Sequence, residues 1–121
     1  MQTTTLKTTQ LGHTGLEIMR VGFGAWAIGG GDWEFGWDPQ DDAESVGAIH
    51  RALEQGMNWI DTAAAYGFGH SEQTVGRALA DVDERPYVFT KCSLLEGPDR
   101  TVTHGTSRPR FCRSPSRKRS V

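Results

Sequence analysis

Apolar positions along the chain fall into two periods, and the points where one gives way to the other mark out the elements. Residues 5–19 read as a hairpin: a short polar strand, the turn Gly12-His13-Thr14-Gly15, then Leu16-Glu17-Ile18-Met19. Val21 to Trp26 reads as a first core strand, and residues 27–40 as a long loop rich in Gly and Trp. The helical period then takes over at Ala43, Val46, Ile49, Ala52 and Leu53. Asp41 or Asp42 caps that helix, Asp41 with Glu44 fits a capping box, and Gly56 ends it. Met57 to Thr62 is the second strand. Ser71 is placed as the cap of a second helix, with Val75, Ala78 and Leu79 on its apolar side. Pro86 opens a third strand, Tyr87 to Thr90, with Lys91 at its end. The order hairpin-β-α-β-α-β calls for parallel strands and crossover helices, as in an open doubly wound sheet or a β/α barrel.

Composition changes this picture at one place. A chain of 121 residues has room for one ordinary domain, and 36% apolar content makes any single core modest. The net charge of -2 sums two unlike parts. Residues 1–95 carry six basic against 13 acidic side chains (-7), and residues 96–121 carry seven against two (+5). The second part also holds three of the five prolines and no apolar period, which is the composition of a disordered segment. The sequence is therefore divided into residues 1–95 and a tail, 96–121. Three readings fit the tail: a nucleic-acid or localisation arm built on Arg117-Lys118-Arg119, a solvated terminus, or translation in a shifted frame. The third is preferred, since one permitted choice of synonymous codons lets a frame shifted just after Gly105 resume a mostly helical pattern.

The polar N-terminus and the lack of a long apolar run give no reason to expect a leader or a membrane span. Two cysteines, Cys92 and Cys112, make no disulfide framework, so a reduced, cytoplasmic protein is expected. Cys92 reads as a small core residue. His13, His50 and His70 read as turn, helix-surface and structural loop residues, and no metal constellation is expected.

Three groups able to share a proton stand at or just past strand ends. Asp61 and Tyr66 belong to the run Trp59-Ile60-Asp61-Thr62-Ala63-Ala64-Ala65-Tyr66-Gly67, and Lys91 closes Val88-Phe89-Thr90-Lys91. In parallel α/β folds such ends meet on one rim, where chemistry is done. A competing signal is Gly22-Phe23-Gly24-Ala25-Trp26-Ala27, which matches the dinucleotide pattern G-x-G-x-x-A. That pattern needs its glycines to open directly onto a helix N-terminus, and here a long loop intervenes. The barrel reading is preferred.

Three blocks, LGHTGLEIMRVGFGAW, NWIDTAAAYGFGHSEQTVGRAL and YVFTKCS, resemble the aldo/keto reductase family in order and spacing over residues 5 to 95. The resemblance implies a (β/α)8 TIM barrel with an N-terminal β-hairpin closing its floor, present here as three core strands and two helices. It implies hydride transfer between NADPH (sometimes NADH) and a small carbonyl or alcohol substrate. It also implies Tyr66 as proton donor, Lys91 as its neighbouring cation and Asp61 as the partner of Lys91. Gly24, Ala25, Trp26 and Asp61 would lie against the nicotinamide-ribose end of the cofactor.

The chemistry explains those residue types. A hydride added to a carbonyl leaves an alkoxide that must take up a proton in the same event. A free phenol, with a pKa of about 10, is a poor donor at neutral pH. A cation ~4 Å away at an effective dielectric of ~20 favours its ionised form by ~4 kcal/mol before desolvation opposes it. Taken singly, an Asp at a strand end is as often a turn anchor, a loop Tyr is more often packing, and a strand-end Lys is usually solvated. Within three matching blocks the joint reading is stronger. Trp33 and Trp37 either line a substrate pocket or cover the barrel mouth.

The family's fourth catalytic residue, a histidine after the next strand, has no counterpart here, His104 being too close to Lys91. The expectation is a truncated, poorly folded and inactive chain of reductase ancestry. The alternative is a non-catalytic barrel fragment whose tail binds nucleic acid or a partner. It has only Phe111 as a stacking ring and is the weaker reading.

Overall fold

The computed structural model describes residues 7–92 and 94–104. β1 (Thr8–Gln10) and β2 (Glu17–Met19) pair antiparallel, with Thr8 opposite Met19. The Thr14 hydroxyl donates to the Leu11 carbonyl at 2.6 Å to close the turn between them. β3 (Phe23–Gly24), β4 (Trp59–Asp61) and β5 (Tyr87–Phe89) form a parallel sheet in that order. The crossovers are α1 (Asp42–Glu54) and α2 (His70–Leu79), as the periodicity required. The described residues do not form a closed barrel.

The start of α1 is fixed by the Asp41 carboxylate, which accepts the Glu44 N–H at 3.0 Å. Its end is fixed by Gly56, whose φ of 92° turns the chain back so that the Met57 N–H reaches the Ala52 carbonyl at 3.1 Å. Ser45, Ile49 and Ala52 form its buried stripe, while Ala43 is exposed. At 3.6 residues per turn Ala43 lies off the stripe that holds Ile49, so its assignment to the apolar side is corrected. The cap of α2 is also corrected: Gly69, with φ 97°, precedes the helix, and Ser71 lies inside its first turn, fully buried. Glycine alone enters that left-handed region without strain, which starts the helix before the serine.

Ile60 on β4 is fully buried against Ile49, Val75 and Ala78 of the two helices. Burial of each such aliphatic side chain contributes about 1.5–3 kcal/mol. The opposite face of β4 carries Trp59 and Asp61, since side chains alternate along a strand. At the strand's start Asn58 ties the hairpin down twice, accepting from the Met19 N–H at 2.8 Å and donating to the Glu17 carbonyl at 3.0 Å. Trp59 adds a third bond, from Nε1 to the Met19 carbonyl at 2.8 Å, and its ring fills the space where any Cβ on Gly22 would go. The first strand is shorter than Val21 to Trp26. Gly22 is committed to Trp59, and the chain leaves the sheet after Gly24 to form a 3-10 turn over Ala27–Gly29.

The division expected at residue 95 falls inside another hairpin, β6 (Leu94–Glu96) with β7 (Val102–His104). Its turn, Pro98–Arg100, places Asp99 and Arg100 at φ 55° and 59°. Backbone pairing and docking hold this hairpin, and an apolar period is not required for either. Arg100 Nε donates to the Asp32 carbonyl at 2.6 Å, its guanidinium lies 5.1 Å from the centre of the Phe68 ring, and Glu34 accepts the Val102 N–H at 2.6 Å. Cys92 is exposed rather than in the core, because it lies past the end of β5 and outside the face covered by helices. The basic cluster 117–119, Phe111 and Cys112 lie outside the described residues. Among the described residues no helix is long and apolar enough to cross a membrane.

Candidate active site

Parallel register creates the site. Asp61 sits opposite Phe89, and Lys91, two residues past Phe89 and thus on the same face, rises beside the Asp61 carboxylate. Its ammonium nitrogen lies 2.8 Å from each carboxylate oxygen and 2.9 Å from the Thr62 carbonyl. All three N–H donors therefore have an acceptor. Burial works against the charged lysine, but bonding to Asp61 and the nearby Tyr66 hydroxyl outweigh it and raise the Lys91 pKa above its ordinary value. The same nitrogen lies 5.2 Å from the centre of the Tyr66 ring. The structure thus brings Asp61, Tyr66 and Lys91 together at one rim.

Tyr66 is placed by a tight loop. Gly67, Phe68 and Gly69 follow it with φ of 63°, 51° and 97°, three successive left-handed residues. A side chain on Gly67 would run into the Gly29 carbonyl, so the loop packs backbone against backbone on the 3-10 turn. Trp33, buried, stacks on Tyr66 with ring centres 6.0 Å apart and bonds through Nε1 to the Gly30 carbonyl at 3.1 Å. Trp37 stands exposed against Trp26. A cavity of about 290 Å³ lies between Trp26, Trp33, Phe35, Tyr66, Leu94 and Val102. A larger hollow of about 390 Å³ lies under Gly29–Asp32, His70 and Arg100 and reaches neither Asp61 nor Lys91.

The residues expected at a cofactor separate into two groups. Gly24 pairs with Asp61 at the sheet end and has open space where a side chain would be, room for a flat group to lie on the backbone. Trp26 is half-exposed, its Nε1 bonded to the Phe35 carbonyl at 3.1 Å. Gly24, Trp26 and Asp61 thus share one accessible rim at the sheet end. Ala25 does not face that rim: it is fully buried, its N–H donates to the Asp61 carbonyl and its carbonyl accepts from Ser71.

Thr62, Ser71 and the β6–β7 hairpin were missing from the sequence reading of the site. The available signal is a Thr directly after Asp61, on the side of the strand that carries Ile60. His70 and His50 are structural: His70 Nε2 lies 2.7 Å from Asp42 Oδ1, and His50 Nε2 donates to the Ala78 carbonyl at 2.7 Å. Among the described residues no group of three or more His, Cys, Asp and Glu is placed to hold a metal ion.

Residues 20–119 match the model of the aldo/keto reductase family. The chain belongs to that family. The matched range continues past residue 95, where the resemblance read from motifs stopped. Aldo-keto reductase YhdN of Bacillus subtilis is 44% identical over 88 residues, covering 71% of this chain and 25% of that protein. The NADH-specific methylglyoxal reductase of Escherichia coli is 41% identical over 92 residues, covering 74% and 27%. Among solved structures, the glycerol dehydrogenase of Gluconobacter oxydans superposes with a TM-score of 0.66 at 39% identity, covering 93% of this chain and 33% of that one. The chain therefore spans between a quarter and a third of the length of these aldo/keto reductases, whose fold is a (β/α)8 barrel.

Proposed function

We propose that this chain carries the Asp61–Lys91–Tyr66 part of an aldo/keto reductase site that interconverts an aldehyde or ketone and its alcohol. The observation that supports this most is the Lys91 ammonium, held by both Asp61 oxygens and the Thr62 carbonyl with the Tyr66 ring beside it. A reduced nicotinamide cofactor supplies the hydride when bound. Tyr66 gives its proton to the carbonyl oxygen as negative charge develops there, and Lys91 stabilises the phenolate that remains. Asp61 keeps the lysine charged and directed at the tyrosine. Gly24, Trp26 and Asp61 would hold the nicotinamide-ribose end, and the cavity beside Tyr66 would receive the carbonyl compound.

NADPH is the expected coenzyme, and the NADH-specific E. coli relative makes NADH the necessary comparison. The cytoplasm is the expected location, and the barrel is expected to need further strands beyond β5. The side chains of Lys91 and Asp61 are 44% and 39% exposed, and Val88 and Tyr87 on β5 are uncovered. We therefore expect the 121-residue chain alone to turn over slowly or not at all. The test follows loss of reduced-nicotinamide absorbance with NADPH and NADH in turn, using methylglyoxal and benzaldehyde, for the parent chain and Tyr66→Phe. Tyr66-dependent oxidation of either coenzyme supports the reading and overturns the expected inactivity. Tyr66→Phe turning over as fast as the parent chain removes the tyrosine from its assigned role.

A further inference from the structure

Behind the rim lies a buried hydroxyl pair. Ser71 and Thr62 are 0% and 1% exposed, and their hydroxyl oxygens lie 2.9 Å apart. The Ser71 hydroxyl also lies 2.9 Å from the Ala25 carbonyl. A carbonyl can only accept, and a serine has one proton to give. The direction of the chain follows: Thr62 donates to Ser71, and Ser71 donates to Ala25. Ala25 closes the circuit through its N–H, which reaches the Asp61 carbonyl at 2.8 Å. The backbone N–H of Ser71 meets the Tyr66 carbonyl at 3.2 Å. One residue in the first turn of α2 is thus bonded to the ends of β3 and β4 and to the loop that carries Tyr66.

The consequence concerns Thr62. Its carbonyl receives the Lys91 ammonium, and its N–H is held by the Phe89 carbonyl at 2.8 Å. Its side chain is held by Ser71. We propose that Ser71 is a positioning residue of the site, fixing the Thr62 carbonyl as the third acceptor of Lys91 while anchoring the Tyr66 loop. Resting on the reading of Asp61, Tyr66 and Lys91 given above, the proposal adds a residue that touches none of the reacting atoms. Ser71 lies within the network that holds both the cation and the proton donor.

Nuclear magnetic resonance of the full chain labelled at lysine Cε tests this without coenzyme or turnover. The chain has three lysines, Lys7, Lys91 and Lys118, so Lys91 can be assigned by substitution. The titratable groups around its ammonium are Asp61 on β4 and Tyr66 on the loop, and the nearest acid on α2, Glu72, is engaged by the Thr90 hydroxyl at 2.5 Å. Ser71→Ala is expected to shift the Lys91 titration midpoint downward, and Ser71→Cys, which keeps a weak donor of similar size, to restore part of the shift. Thr62→Val cuts the same link from the other side and should give a shift of the same sign even if Ser71→Ala fails to fold. Thr74→Val is the control: it removes another fully buried hydroxyl from α2, one that bonds only the His70 carbonyl, and should leave Lys91 unmoved. Folded Ser71→Ala or Thr62→Val with an unchanged Lys91 midpoint overturns the proposal, as does an equal shift in Thr74→Val. Asp61→Asn separates the two readings. If it leaves Lys91 unmoved, the ion pair itself is wrong; if it shifts Lys91 and Ser71→Ala does not, only the role of Ser71 fails.

Discussion

The two ends of β4 lie two residues apart and do opposite work. At Asn58 and Trp59 the strand binds the N-terminal hairpin through three hydrogen bonds and one packed ring, without a formal charge. At Asp61 it faces solvent and holds a half-exposed ion pair beside an ionisable phenol. The first arrangement covers apolar surface and satisfies backbone groups, which stabilises. The second leaves a paired charge within reach of solvent and of the Tyr66 ring, and covers no apolar surface. Because the strand is short, the register that seats Trp59 against the N-terminal hairpin also sets Asp61 opposite Phe89 and within reach of Lys91.

If that division is right, substitutions at the two ends should fail in different measurements. The largest effect belongs to the rim: in any form of the protein that turns over, Tyr66→Phe should lower the hydride-transfer rate by ~10²–10⁴-fold, the usual contribution of a positioned proton donor. Its urea midpoint should stay close to the parent's. A rate loss matched by an equal stability loss would erase the distinction between the ends. Trp59→Ala reverses the pattern. It removes the half-buried ring and its bond to Met19, and should cost up to about 3 kcal/mol in urea unfolding, no more than the low end for a fully buried aromatic. Molecules still folded should retain the Lys91–Asp61 pair, visible as an unchanged Lys91 titration.

Gly67 sharpens the comparison because it belongs to both functions. Gly67→Ala puts a methyl against the Gly29 carbonyl at a φ of 63°. A destabilisation of about 1–3 kcal/mol is expected, together with displacement of Tyr66 from Trp33. Quenching of the buried Trp33 fluorescence by acrylamide should rise with it; unchanged quenching would show that the loop tolerates the methyl without moving.

The elements of this fold were legible because their signals are local. Asp41 with Glu44 and Gly56 bounded α1, and alternation placed Ile60 on one face with Asp61 on the other. Asp61, Tyr66 and Lys91 could be picked out because each ends or follows a strand. What stayed hidden depends on contacts distant in sequence. Ser71 looked like a cap because serine usually is one, and only the left-handed Gly69 before it frees the hydroxyl for Thr62 and Ala25. The β6–β7 hairpin is held to the 27–40 loop by Arg100 and Glu34, across 68 positions of chain, and its composition carried no trace of that docking.

The smallest predicted effect lies away from both ends of β4, where the helices meet. Asp42 of α1 accepts from Arg77 of α2 at 2.7 Å and lies 2.7 Å from His70 Nε2. The bond from Arg77, then that from His70, lowers its pKa below the ordinary 3.8, with slight burial opposing. A carboxylate with a depressed folded pKa contributes stability that is present above the unfolded value and lost as pH falls through the folded one. This contact should therefore begin to weaken near and below pH 3.8. Lys91 has the opposite sign: its raised pKa makes its contribution complete below 10.5 and lost as pH rises above that value. Arg77→Met should flatten the acid limb of a stability profile and leave the alkaline limb untouched, whereas Asp61→Asn, which removes the partner of Lys91, should flatten the alkaline limb. An Arg77→Met variant whose alkaline limb also changed would mean that the helix contact and the rim are coupled, and that the Asp61–Lys91 pair depends on more of the fold than its own strand end.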